Sequence, residues 1–105
     1  MISARFFQKN GRLTGVTVSG HAGFADYGQD IVCASVTSAV QLTANAITDV
    51  LCVPCDVQVQ ENSISISAGR DAGEETVHFL QALRLHLSVL AEDYPNTISI
   101  SVSEV

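Results

Sequence analysis

The chain has 105 residues and a formal net charge of −6, which fits one domain spanning residues 1–105 and disfavours nucleic acid, since phosphate contacts need clustered Lys and Arg and only five are present. Hydrophobic residues make up 47% of the chain and charged residues 15%, enough apolar mass for a packed core and too much for a disordered segment. By inspection no apolar run approaches the roughly eighteen residues of a membrane span. The opening Met1-Ile2-Ser3-Ala4-Arg5 lacks the charged region and apolar run of a signal peptide, so the expectation is a cytoplasmic protein with no membrane partner.

In chain order, Ile2 to Gln8 is apolar and aromatic and reads as a first strand. Asn10-Gly11 follows, a hairpin signal because both turn positions need positive φ. Leu13, Val16 and Val18 carry a second strand that stops near Gly20. From Ala22 to Gln29 there is no apolar period, and Gly23 and Gly28 supply flexibility. Val32, Val36, Val40, Ala44, Ile47 and Leu51 then recur at spacings of three and four, one apolar face of a helix that must stop by Val53, ahead of Pro54.

Val57 and Val59, then Ile64, Ile66 and Ala68, alternate with polar residues around a Glu61-Asn62 turn, a second hairpin. Asp71-Ala72-Gly73-Glu74 has the spacing of a capping box, and Val77, Leu80, Leu83, Leu87, Leu90 and Tyr94 form a second amphipathic helix closed by Pro95. Ile98, Ile100 and Val102 alternate in a last strand. The predicted class is α+β, with order β-β-α-β-β-α-β and two helices packed on one face of a mostly antiparallel sheet.

The chemistry concentrates at His21 and Cys33. They frame an eleven-residue stretch that leads into the first helix. With Asp30 as N-cap, its side chain bonded to the Cys33 amide, Cys33 falls at about the third helical position. There the helix dipole favours a thiolate, which is the nucleophilic form. His21 at a strand end could take the thiol proton and return it to a leaving amine if the intervening loop folds back. A helical cysteine is also a common core residue, although Cys33 lies just off the stripe led by Val32 and Val36. Asp30 has a second possible job, holding the tautomer of His21. Thr37, one turn after Cys33, either reaches the neighbourhood of the thiol or bonds back to its own helix.

Cys52-Val53-Pro54-Cys55 is a literal C-x-x-C. It follows the C-terminal end of the first helix, where the dipole disfavours an anion, and no second ligand pair has zinc spacing. His78 and His86 are eight apart on the second helix, a polar face and not a metal pair. No cofactor or metal is expected. An odd count of three cysteines reads as thiols, not a disulfide framework.

Gly20-His21-Ala22, Tyr27-Gly28-Gln29-Asp30-Ile31-Val32-Cys33-Ala34 and the closing Tyr94-Pro95 resemble the ribosomal-processing cysteine proteases called Prp, over essentially the whole chain. The resemblance implies a bacterial cytoplasmic endopeptidase that removes a short N-terminal extension from the large-subunit ribosomal protein numbered twenty-seven. The cut would follow an aromatic pair and precede a small residue and a basic stretch. It implies His21 and Cys33 as catalytic residues, with Asp30 beside them. The family's small hydroxyl residue four after the cysteine falls on Thr37, and its glycine two after the cysteine is Ser35 here. It also implies a homodimer, and a loop between His21 and Cys33, including Gly23, Tyr27 and Gly28, that moves with substrate. Two rival readings stay open: a non-catalytic ribosome-assembly module that grips a basic tail, and thiol redox activity at Cys52 and Cys55.

Overall fold

The computed structural model describes residues 1–20, 27–69 and 72–105, with the side chains of residues 27–30 excepted. Strands β1 (Ile2–Lys9) and β2 (Arg12–Ser19) precede helix α1 (Tyr27–Asn45) and a π-helical turn (Ala46–Val50). Strands β3 (Cys55–Gln60) and β4 (Ser63–Ala68), helix α2 (Glu74–Asp93) and strand β5 (Ile98–Glu104) follow. The β-β-α-β-β-α-β order read from the sequence holds. The sheet order is β3-β4-β2-β1-β5; every neighbouring pair is antiparallel except β1 and β5, which run parallel.

The Asn10-Gly11 turn joins β1 and β2 with φ of 53° and 78°, the paired positive φ of a tight hairpin. The register then shifts: Phe7 pairs with Gly15 but Gln8 pairs with Leu13, so Thr14 is extra. This bulge explains a break in the apolar pattern. Leu13 and Val16 are three apart yet both buried, which strict alternation forbids and one inserted residue allows. Gly15, beside the bulge, sits so close to β4 that a Cβ there would lie 2.3 Å from the Ile66 carbonyl oxygen.

One cluster of buried residues joins the sheet to both helices. Ala4, Phe6, Val16 and Ile66 come from the strands, Val32, Val36 and Val40 from α1, and Leu80, Leu83 and Leu87 from α2. The opposite face is hydroxyl-rich: Ser3 pairs with Ser19 and Thr17 with Ser65, and the Thr17 and Ser65 hydroxyls lie 3.1 Å apart. A sheet with one apolar and one polar face packs its helices on the apolar side alone. Contrary to the expectation from inspection, Ile31–Val50 has the length and mean hydropathy, 1.4, of a membrane-crossing helix. Its apolar stripe, Val32 to Ile47, lies in the core.

Helix α1 passes into the π-helical turn, where the Leu51 N–H donates to Ala46 and the Val53 N–H to Ile47. The Thr43 and Thr48 hydroxyls donate to the carbonyls of Ala39 and Ala44, four residues back, a bonding pattern that bends helices. Cys52, at φ 56°, and Pro54 then end the helical path within the predicted limit. Helix α2 starts differently from the prediction. Its N-cap is Gly73, which offers no side-chain oxygen, in place of a capping box led by Asp71. Gly73 weakens helix there, so the helix forms only beyond it.

Replacing Gly15 with Ala is expected to cost about 1–3 kcal/mol, the range for overpacking a close contact, read as a lower urea midpoint. An unchanged midpoint would contradict the close β2–β4 approach.

Candidate active site

Cys33 is fixed by its neighbour. Val32 is fully buried on the core stripe of α1, and the next residue is turned by about 100° at 3.6 residues per turn. Cys33 is therefore half-buried, packed against the edge of the core. Thr37 and Gln41 follow at steps of four, on the same helical face.

The helix start corrects the sequence reading. Helix α1 begins at Tyr27, which makes Asp30 its fourth residue and Cys33 its seventh. Asp30 is therefore not the N-cap. The Cys33 amide lies beyond the four unpaired donors of a helix start, and the dipole fades within the first turn. The apolar period marks where α1 meets the core, not where the helix begins, because a first turn can form from residues that carry no apolar stripe. Tyr27, Gly28 and Gln29 accordingly belong to a helix and not to the loop predicted over Ala22–Gln29. His21 and Gly23 lie outside the described residues.

A pocket of about 230 Å³ opens beside Cys33, between α1 and the tip of the β3–β4 hairpin. Cys33, Thr37 and Gln41 line one wall, and Val59, Glu61 and Ile64 line the other. Thr37 is exposed, which suits a residue at the mouth. Gly20 also lines the pocket. Its N–H donates to the Asn62 carbonyl at 3.0 Å, which ties the end of β2 to the β3–β4 turn. Its φ is +74°, and a Cβ would lie 2.8 Å from the Met1 carbonyl oxygen, so a glycine is required there. The residue that precedes His21 in the chain thus shares a pocket with Cys33. Sequence reasoning missed the hairpin wall, about thirty residues from Cys33; nothing in a strand-turn-strand pattern says which helix it will face.

The other two cysteines do not line this pocket. Cys52 is exposed, with its thiol 3.6 Å from the Asp49 carbonyl at the end of the helical path. Cys55 opens β3, and burial pushes its thiol above the ordinary value of 9.0; the neighbouring Asp56 pushes the same way, and a backbone hydrogen bond at Ser67 opposes them. Reactive thiols are shifted in the other direction. None of the three cysteines is in a disulfide. His78 and His86 are exposed along α2, the polar face expected, and among the described residues no group of three or more His, Cys, Asp or Glu is placed to hold a metal.

The family model for cysteine protease Prp matches residues 1–99. The chain belongs to the Prp family. It is 28% identical over 93 residues to the ribosomal processing cysteine protease Prp of Staphylococcus aureus (strain Mu50 / ATCC 700699), covering 87% of this chain and 88% of that one. The crystal structure of SMU.848 from Streptococcus mutans superposes with a TM-score of 0.90 at 28% identity, covering 100% of this chain and 96% of that one. The S. aureus Prp in complex with a covalently linked product peptide gives 0.87 at 25% identity, covering 98% and 100%. The same S. aureus protease in complex with a substrate peptide gives 0.89 at 24% identity, covering 98% and 100%, and supports the fold. This chain is a cysteine protease of the ribosomal-processing Prp family, which decides against the non-catalytic reading.

The setting of Cys55 has a measurable consequence. The folded state holds this thiol protonated to a higher pH than the unfolded chain does, so its contribution to stability is complete below pH 9.0 and declines as pH rises above it. Urea midpoints measured from pH 7 upward should fall more steeply for the wild type than for Cys55→Ala above the ordinary thiol range. Parallel curves would contradict a raised thiol.

Proposed function

We propose that this protease removes the short N-terminal extension of a large-subunit ribosomal protein, the one numbered twenty-seven, with Cys33 as nucleophile and His21 as its base. The observation that carries the reading is the pocket shared by Cys33 and Gly20, joined to membership of the Prp family. His21 directly follows Gly20 in the chain. That supports pairing an imidazole with the Cys33 thiol despite the eleven residues between them.

In this mechanism the Cys33 thiol transfers its proton to His21 and attacks the scissile carbonyl. His21 protonates the leaving amine, and the resulting thioester is hydrolysed by a water that His21 activates. With Cys33 seventh in α1, the helix dipole adds little, and the imidazole carries most of the thiol's activation. The Cys33 amide is engaged inside the helix, so the oxyanion takes its hydrogen bonds from other donors. Thr37 is exposed one turn along the same wall, which supports a contact with substrate. Asp30 as orienter of His21 and the Gly23 segment as a substrate-responsive loop belong to the same proposal.

The S. aureus relative is called a ribosomal processing protease, and its structures hold a substrate peptide and a covalently linked product peptide. These support a ribosomal-protein precursor as substrate here; a cytoplasmic setting belongs to the same proposal. A homodimer is part of the reading; the exposed Leu42, at 70%, and Leu85, at 67%, are apolar side chains suited to a subunit contact.

Cys33→Ala should abolish cleavage of a peptide that spans the extension junction while leaving the circular-dichroism melt unchanged. His21→Ala should slow cleavage by about 10²–10⁴-fold, the usual contribution of general acid–base catalysis. Cys52→Ser and Cys55→Ser should cleave at the wild-type rate. Undiminished cleavage by Cys33→Ala, followed by mass spectrometry, would sink the proposal.

A further inference from the structure

We infer that Glu61, at the β3–β4 turn, is a specificity-determining residue that accepts an ammonium or guanidinium group of the substrate, while the aliphatic surface between it and Cys33 takes an adjacent apolar side chain. This rests on the reading of Cys33 as nucleophile and deepens it by assigning what the facing wall recognises.

Three observations carry it. First, Glu61 is the one charged residue among the described residues that line the Cys33 pocket. The remaining side chains there are aliphatic, such as Val36, Val40 and Ile64, or neutral, such as Thr37 and Gln41. A single carboxylate on an otherwise neutral rim discriminates by sign, attracting a cation and repelling a second carboxylate.

Second, the carboxylate is on a fixed support. Gln60 and Ser63 pair directly across β3 and β4, so Glu61 and Asn62 form the whole turn. The Asn62 carbonyl accepts the Gly20 N–H at 3.0 Å, which fastens the turn to β2 and hence to the same sheet that packs against α1. The distance from turn to thiol is therefore set by the fold. Third, the Glu61 side chain is exposed, and among the described residues it makes no ion pair. The Arg12–Glu74 pair lies elsewhere. The carboxylate is available to an incoming group.

The contact is at the rim, in water. Exposed charge pairs change binding by about two- to fivefold and fade with salt, so Glu61 tunes selection without supplying the bulk of affinity. The aliphatic floor supplies more, through apolar area removed from water. The two parts together select peptides in which an apolar and a basic side chain lie on one side of an extended strand.

The test uses two peptides spanning the extension junction of the ribosomal protein, one with its basic side chains intact and one with each replaced by glutamine. Binding is read as protection of Cys33 from iodoacetamide, followed by mass spectrometry of the Cys33-containing fragment, in wild type and in Glu61→Gln, Glu61→Lys and the unrelated Glu92→Gln. The expected result is a protection constant weakened about two- to fivefold in Glu61→Gln for the basic peptide alone, with the difference lost at about 1 M salt. Glu61→Lys should reverse the preference between the basic peptide and its glutamine version, and Glu92→Gln should match wild type. Equal protection by the basic peptide in wild type and Glu61→Gln overturns the inference and leaves Cys33 as nucleophile intact. Peptides that bind by fluorescence anisotropy yet never slow Cys33 alkylation overturn the reading of the site itself, and this inference with it.

Discussion

The structure depends on how one helix is seated. Val32, Val36 and Val40 are buried completely or nearly so, and Ala44 and Ile47 continue the same stripe. Each of the four larger side chains contributes up to about 1.5–3 kcal/mol when taken from water, and the five lie along one line that runs from α1 into the π-helical turn. A rotation of the helix by a single residue would lift that line out of the core, as a register slip does in a strand. The azimuth of every other residue on α1 is therefore set by the stripe. Cys33, next to Val32, is held at the edge of the core with its thiol half-buried, and Thr37 and Gln41 are stacked beyond it. The same seating leaves the β3–β4 end of the sheet open enough for a pocket.

The pocket also needs its second wall, and that wall is held by the sheet. Gly15 lets β4 approach β2 without a side chain between them, and Asn62 takes the Gly20 N–H at the far end. The result is that three distant stretches of sequence, around residues 20, 33 and 61, meet at one place. The two thiol environments contrast. Cys33 faces this pocket, whereas Cys55 is in a strand where burial keeps it protonated. The literal C-x-x-C is thus a product of position: its first cysteine closes a helical path and its second opens an edge strand.

Much of the fold was legible because local chemistry and global pattern agree. Asn10-Gly11 demanded a hairpin, the spacing from Val32 to Ile47 demanded a helix, and Pro54 and Pro95 set limits on both helices. What was not legible involved a residue whose role is set by its surroundings. Leu13 and Val16 both point inward only because Thr14 bulges, and no period reveals a bulge. The start of α1 at Tyr27 precedes the first apolar contact, so a reading based on contacts placed Cys33 four positions too close to the helix end. Gly73 took the cap expected of Asp71 because a glycine one step before the helix interrupts it. At the site, Cys33 was legible as a candidate and the hairpin opposite was not, since pairing between distant elements is written in packing and not in spacing.

These placements shift the account of reactivity. A thiol in the first helical turn would be activated by backbone amides alone. A thiol two turns in is not, and in the proposed mechanism its activation falls to His21, the residue that follows Gly20 in the chain. The central claim is that Cys33 forms the covalent bond to substrate. It is tested most directly by mixing enzyme with the junction peptide, quenching in acid within the first turnover, and measuring intact mass. The account predicts a protein species heavier by the N-terminal fragment less one water, with the added mass mapped to the peptide containing Cys33 and absent in Cys33→Ala. Cleavage that proceeds with no such species, or with the mass mapped to Cys52 or Cys55, would contradict it.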